Sequence, residues 1–198
     1  RTIKVLYEDD HLAAVQKPAD LPISGNSFRT LQNALSFNLI PSLQKDALTV
    51  PRPVHRLDRL TGGVVLIAKT FSAAANLGSQ FEDRTVEKTY LAWVSGIFDS
   101  PMTFENLIDG KEALTAIEPI RNLHHRRFSE ITLVEAKPKT GRRNQIRIHL
   151  SEAGFPILGD LKFGGVKSGK GLFLFAKAIS FSHPVLNELM EIKGVVPK

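Results

Sequence analysis

The chain has 198 residues, a formal net charge of +6 and no cysteine, which excludes disulfides, thiolate metal sites and thiol catalysis. Hydrophobic residues make up 42% and charged residues 23%, which is typical of a globular protein, and no apolar run reaches membrane-spanning length. The positive net charge predicts a polyanion as the partner. We therefore expect one cytoplasmic domain over residues 1–198 with no membrane segment. Because the chain begins at Arg1, a further N-terminal segment outside this sequence is also compatible with it.

The first third of the sequence predicts short strands and one helix ahead of a buried strand. Residues 3–7 and 12–15 are expected strands, and Thr30 is the expected N-cap of a helix that Pro41 ends. Residues 64–68 are an uninterrupted apolar run, which is typical of a strand buried on both faces.

The remaining sequence predicts two more helices and several strands. Residues 72–81 and 144–153 are the expected helices, and the second carries Ile146, His149 and Leu150 on one face. Because strands outnumber helices and often follow one another directly, we expect an α+β fold with a mixed, largely antiparallel central sheet, flanking helices and a basic cleft. The expected strands cover residues 89–95, 112–120, 130–136 and 172–181.

A loop before the buried strand combines one acidic side chain with three basic ones. Asp58 lies among His55, Arg56 and Arg59, and the loop ends in two glycines. Neighbouring positive charges favour an ionised carboxylate. The pattern therefore predicts a charged carboxylate at a cleft, although such a short string is equally typical of a surface turn.

Ordered motifs along nearly the whole chain resemble those of the RluA-type pseudouridine synthases. Residues 55–63 (HRLDRLTGG) resemble the loop that carries the nucleophilic aspartate of that family. The strand that opens with Lys88-Thr89-Tyr90 resembles the motif whose tyrosine stacks on the target uracil. Residues 140–150 (TGRRNQIRIHL) resemble the family string TGRTHQIRVHL. Weaker matches at 154–160 and 181–189 are expected to be structural.

This resemblance implies a redox-neutral isomerase that converts uridine in RNA to pseudouridine with no metal and no nucleotide cofactor. Asp58 is the implied nucleophile, attacking ribose C1′ or the uracil ring or acting as a base at C2′, and the sequence leaves these routes open. Tyr90 would hold the base and help to remove the C5 proton, while Arg147 would keep Asp58 ionised. The implied partner is ribosomal or transfer RNA with a flipped or unpaired uridine, and the protein is expected to be a monomer.

Four arginines are the expected phosphate contacts. A guanidinium stays charged and binds phosphate or carboxylate through two donors. Arg143 and Arg147 are predicted to lie one helical turn apart, with both side chains on a face different from that of Ile146 and Leu150. The RNA-binding candidates are Arg56, Arg59, Arg142 and Arg143.

Other interpretations and some departures from the family pattern remain. The glycine-rich residues 164–171 lack the Ser or Thr of a phosphate loop. A metal-dependent hydrolase using His55, Asp58 and His149 is disfavoured, because the nearby arginines would repel a divalent cation. The main alternative is a non-catalytic RNA-binding domain. The presence of Asp58 argues against it, because an acidic side chain weakens phosphate binding.

The sequence departs from the family motifs at four places, and these departures leave the RNA target open. They are TGG for TSG at 61–63, Arg143-Asn144 for TH, Phe155 for His and Phe163 for Tyr.

Overall fold

The computed structural model describes residues 2–197, which fall into two compact units. The first unit comprises residues 2–87 and 176–197, and the second comprises Lys88–Phe175. The expected single domain over 1–198 stays a prediction, and Arg1 and Lys198 lie outside the described residues. In the described part of the chain, no helix is long and apolar enough to cross a membrane.

Strands dominate both units. Each strand pair with a described register is antiparallel. The predicted α+β class with a largely antiparallel sheet is therefore confirmed. In chain order the elements are β1 (Lys4–Glu8), β2 (Leu12–Lys17), α1 (Leu31–Leu35), β3 (Ala47–Pro53), β4 (Gly62–Thr70), α2 (Phe71–Glu82), β5 (Glu87–Ser95), β6 (Met102–Phe104), β7 (Leu107–Ile108), β8 (Lys111–Glu112), β9 (Thr115–His125), β10 (Ser129–Pro138), α3 (Gln145–Glu152), β11 (Leu174–Ser182) and β12 (Leu189–Lys193).

The sheet of the first unit is centred on β4. Its strand order is β1-β2-β4-β11, with β3 paired to β4 and β12 paired to β11. Every residue of β4 is buried, as its apolar run predicts. Leu66 of this strand packs in one core cluster with Leu12, Leu77 of α2 and Phe181 of β11. This core supports the chain on both sides of the 55–61 loop.

Both helices of the first unit begin at a threonine that caps them. Thr30 accepts a hydrogen bond from the Asn33 N–H, and Thr70 accepts one from the Ala73 N–H. The start of α1 therefore agrees with the prediction. Its α-helical part ends at Leu35, well before Pro41, but Leu39 is still buried by the turn that follows.

The second unit packs α3 against one face of four paired strands. The strand order is β5-β10-β9-β6, and β7 and β8 form a separate hairpin. Ala92, Val94 and Val134 of the sheet share a core cluster with Ile146 and Leu150 of α3. The strand expected at 112–120 is displaced, since β9 begins at residue 115 and continues to residue 125.

A hydrogen-bond network around Asp9 joins the β1–β2 turn to the turn after β11. The Asp9 carboxylate accepts hydrogen bonds from the Tyr7 hydroxyl and from the backbone N–H groups of His11 and Leu12, and His183 Nε2 lies 2.8 Å from it. Burial works to raise the pKa of Asp9, but these hydrogen bonds together lower it to about 2. Burial and the bond to Asp9 raise the pKa of Tyr7 to about 12.

Asp9→Asn is expected to remove one source of acid sensitivity from the folded state. The lowered pKa means that the ionised carboxylate stabilises the fold above the unfolded pKa of about 3.9, and that this contribution is lost as the pH falls through about 2. Urea unfolding of wild type and variant between pH 5 and pH 2 measures the effect: their difference in stability should shrink as the pH falls. Glu82→Gln, at an exposed carboxyl, is the control, and a constant difference for Asp9→Asn would contradict the prediction.

Candidate active site

The loop of residues 55–61 holds Asp58 half-buried beside the start of β4. Leu57 is buried in front of it, and the Thr61 N–H donates to the Asp58 carbonyl. Gly63 then has a φ of +129°, and a Cβ at this position would overlap the backbone of Ala176. Only glycine therefore lets the chain pass from the loop into β4 at this point.

Two of the three basic neighbours of Asp58 have other partners in the structure. His55 stacks on Phe81, with ring centroids 4.9 Å apart, and its Nε2 accepts the Leu66 N–H. The exposed Arg59 guanidinium lies 2.8 Å from the Asp20 carboxylate. His55 therefore braces the loop against β4 and α2, which the charge pattern did not predict.

Lys17 ties the Asp58 loop to the end of β2. Its side chain is fully buried, and Nζ donates to the carbonyls of Pro18, Leu21 and Arg59 at 2.8–3.0 Å. A buried ammonium is tolerated only where its donors are satisfied. The three carbonyls meet this need and fix the backbone directly after Asp58.

Lys17→Met is expected to lower the free energy of unfolding by about 2–4 kcal/mol, because the three carbonyls lose their donor. Urea denaturation followed by circular dichroism measures the loss. Lys4→Met, at an exposed position of β1, is the matched control and should cost less than about 0.5 kcal/mol. Equal effects of the two variants would show that the buried ammonium adds nothing.

Tyr90 lies in the second unit, in the first half of β5. It is half-buried and packs against the same core cluster as Ala92 and Val94. It stands opposite Ala136 of β10 in the antiparallel register. Its backbone is therefore held by the pairing of β5 with β10.

Arg147 is buried on α3 and is held by a carboxylate that the sequence did not single out. Its Nε and Nη2 donate to the two oxygens of Asp160 at 2.6 and 2.7 Å, and its Nη1 donates to Asn144. The guanidinium carbon also lies 4.8 Å from the centroid of the Phe163 ring. These bonds use three of the five N–H donors of the guanidinium. The pairing of Arg147 with Asp58 stays a prediction.

The predicted relation between Arg143 and Arg147 is wrong. Asn144 is the N-cap of α3 with a left-handed φ of +56°, so Arg143 precedes the helix and lies in a turn. The two arginines are therefore not one helical turn apart. A left-handed residue changes the chain direction at once, and sequence periodicity carries no signal of it.

Gln145 holds the segment before α3 in place. Its side-chain oxygen accepts from the Thr140 hydroxyl and the Arg142 N–H, and its amide donates to Leu114 and Thr115. Two of these bonds hold residues 140–145 together, and the other two attach Gln145 to the start of β9. Gln145 was missed as a positioning residue, although a glutamine at an apolar helix position is the signal that would have found it.

The four arginines proposed for RNA are at least partly exposed. Arg56 and Arg143 are exposed, Arg59 is paired with Asp20, and Arg142 donates from Nε to the Glu112 carbonyl. Each unit contributes two of them. Their role in RNA binding stays a prediction.

The histidines considered for a metal site have structural roles. His149 is fully buried, shares a hydrogen bond with Thr115 Oγ1 at 3.0 Å, and has its pKa lowered by burial. His55 accepts a backbone N–H, as described above. Within residues 2–197, no group of three or more His, Cys, Asp or Glu could hold a metal ion.

The family model and the relatives that match this chain are all described as pseudouridine synthases. The family described as RNA pseudouridylate synthase matches residues 11–152. An uncharacterized RNA pseudouridine synthase of Aquifex aeolicus is 35% identical over 216 residues, covering 95% of this chain and 67% of its own. The ribosomal large subunit pseudouridine synthase C of Escherichia coli K12 is 34% identical over 214 residues, covering 96% and 65%. The chain thus spans about two thirds of the length of these relatives.

Solved structures agree with the fold. Human RNA Pseudouridylate Synthase Domain Containing 1 has a TM-score of 0.80 and 26% sequence identity, covering 99% of this chain and 84% of its own. Human RNA Pseudouridylate Synthase Domain Containing 4 has a TM-score of 0.72 at 24% identity, which supports the fold alone.

Proposed function

The chain belongs to the RNA pseudouridylate synthase family, and from that premise we propose that it isomerises uridine in RNA to pseudouridine. The observation that carries the proposal is the family match over residues 11–152, which includes Asp58, Tyr90 and Arg147. The reaction breaks the N1–C1′ bond, turns the uracil and rejoins C1′ to C5. The proton on C5 is released and N1 gains one, so no electron carrier is needed.

We propose that Asp58 attacks as the ionised carboxylate. The family resemblance of the 55–63 loop supports this role, and so does the way Lys17, Leu57 and Gly63 fix the backbone around it. Attack at C1′, attack on the uracil ring and deprotonation at C2′ all need the charged form. A rigid loop lowers the cost of placing the carboxylate against the sugar.

Tyr90 and Arg147 are proposed to serve the base and the nucleophile. Tyr90 would stack on the uracil and assist removal of the C5 proton, and its strand pairing and packing against the core cluster support a fixed ring. Arg147 would keep Asp58 ionised. The resemblance of residues 140–150 to the family string supports this role, and the fork to Asp160 fixes the position of the guanidinium.

The exposed arginines are proposed to hold RNA phosphates. Arg142→Ala is expected to weaken RNA binding and to reduce the slope of log affinity against log salt by about one, as loss of one phosphate contact requires. Filter binding at several salt concentrations measures both quantities. Lys193→Ala, at an exposed lysine paired with Glu191, is the matched control, and an Arg142 variant that behaves like it would remove Arg142 from the contact surface.

The decisive test is tritium release from RNA labelled at uridine C5. Purified protein is incubated separately with ribosomal and transfer RNA that lack pseudouridine. We propose large-subunit ribosomal RNA as the substrate, because relatives are named as ribosomal large subunit synthases. Release from that RNA supports the proposal, whereas release only from transfer RNA would reassign the substrate, and none from either would reject isomerisation for this chain.

We also propose that the protein acts as a cytoplasmic monomer, since the proposed roles use residues of one chain and RNA is its partner. Sedimentation with and without RNA tests the monomeric state. A stable dimer at the concentrations used for the tritium assay would overturn it.

A further inference from the structure

A pocket of about 300 Å³ opens in the second unit beside the tip of the β9–β10 hairpin. This volume is at the lower end of the range of small-molecule sites, about 300–1,000 Å³, and therefore suits one ring system. Trp93 of β5, Phe128 of the hairpin tip and Phe173 before β11 contribute aromatic side chains to its lining. We call it the hairpin pocket.

The hairpin pocket and Tyr90 lie on opposite faces of the sheet in the second unit. Tyr90, Ala92 and Val94 pack on the face that carries α3. Because alternate strand residues point to opposite faces, Trp93 lies on the other face. A ligand in the hairpin pocket is therefore distinct from a base held by Tyr90.

Positive side chains border the hairpin pocket, whose interior is mainly apolar. Arg127, Lys170 and His125 are among its lining residues, which include no Asp or Glu. Within residues 2–197, neither Arg127 nor Lys170 forms an ion pair with a carboxylate. Arg121 adds a further cation 5.7 Å from the centre of the Trp93 ring.

Arg127 also fixes the wall of the hairpin pocket. Its Nη1 donates to the Ser168 carbonyl and its Nη2 to the Lys167 carbonyl. Ser168 Oγ in turn donates to the Gly171 carbonyl and accepts the Lys170 N–H. The glycine-rich residues 164–171, which do not form a phosphate loop, are thus held against the hairpin with Lys170 at the pocket.

We propose that the hairpin pocket binds one unpaired nucleotide of the RNA substrate, other than the uridine that is isomerised. A nucleotide combines the two features that this lining matches: a flat ring for the aromatic side chains and a phosphate for Arg127 and Lys170. The inference rests on the proposed function, because that function supplies the RNA. It adds a second point of attachment that fixes the RNA around the reacting uridine.

The single tryptophan of the chain makes the hairpin pocket directly observable. Trp93 is the only tryptophan, so its fluorescence reports on this pocket alone. The probes are a short single-stranded oligoadenylate RNA and the same ribose-phosphate backbone without bases. The oligoadenylate is expected to quench Trp93 with saturation, and the abasic backbone to quench it by less than half as much.

Two lysine variants in one loop test the phosphate contact. Lys170→Ala is expected to raise the Kd for oligoadenylate, measured by Trp93 quenching, about fivefold, because one phosphate contact is lost. Lys167→Ala removes the same charge from an exposed position outside the pocket lining, and should change Kd by less than about twofold. No quenching, equal quenching by the abasic backbone, or equal effects of the two variants would overturn the proposal.

Tritium release measured on the same preparations separates this inference from the proposed function. Release without quenching would overturn the hairpin pocket as an RNA site and leave the isomerase intact. Saturable quenching with the expected difference between the lysine variants, but without release, would support the pocket and count against isomerisation.

Discussion

Asp58→Asn is expected to reduce tritium release from C5-labelled RNA by at least about a thousandfold, with RNA affinity kept within about twofold of wild type. The amide has the shape of the carboxylate but neither its charge nor its nucleophilic oxygen. All three chemical routes left open for Asp58 depend on that oxygen. Single-turnover release and filter binding on the same RNA measure the two quantities.

Asp83→Asn is the control for this change. Asp83 is an exposed residue directly after α2, and the same substitution there should leave both quantities within about twofold. If Asp58→Asn released tritium at the wild-type rate, Asp58 would not be the nucleophile. If wild type bound RNA and released none, the alternative of a non-catalytic RNA-binding domain would be supported.

Asp160→Ala is expected to lower the free energy of unfolding by about 3–5 kcal/mol, the largest stability effect that we predict. The side chains of Asp160 and Arg147 are 1% and 6% exposed and form a two-bond fork. Removing the Asp160 carboxylate takes both bonds of this fork away from a buried guanidinium. Urea denaturation monitored by circular dichroism measures the loss.

Two further variants show whether this loss comes from the buried pair. Glu191→Ala removes one partner of the exposed Lys193–Glu191 pair and should cost less than about 1 kcal/mol. Arg147→Met combined with Asp160→Ala should be less destabilised than the sum of the two single variants, because the buried guanidinium is removed together with the carboxylate that it binds. Additive losses would show that the fork is energetically unimportant.

The elements predicted correctly are those whose sequence signal lies within a few adjacent residues. Thr30 caps the helix that follows it, as predicted, and the apolar run at 64–68 lies within the fully buried β4. The short strands β7 and β8 were not predicted, because two residues carry no detectable alternation. The start of α3 was placed one residue early, since Asn144 adopts a left-handed conformation that residue type alone does not reveal.

The sequence by itself determined the family and the candidate chemistry. Motif order and residue identity are properties of the linear chain, so Asp58, Tyr90 and Arg147 could be singled out before any contact was known. The same holds for the basic charge and the absence of cysteine, which point to a polyanion and away from thiol chemistry.

Only the tertiary structure decided which residues hold that chemistry in place. Lys17 reaches a carbonyl 42 positions away in the sequence, and Asp160 clamps an arginine 13 positions before it. Neither pairing follows from periodicity or composition, because a buried charge selects whichever partner the packed chain brings within about 3 Å. The hairpin pocket has the same origin, since Trp93, Phe128 and Lys170 meet only when the strands pair and the glycine-rich loop folds back.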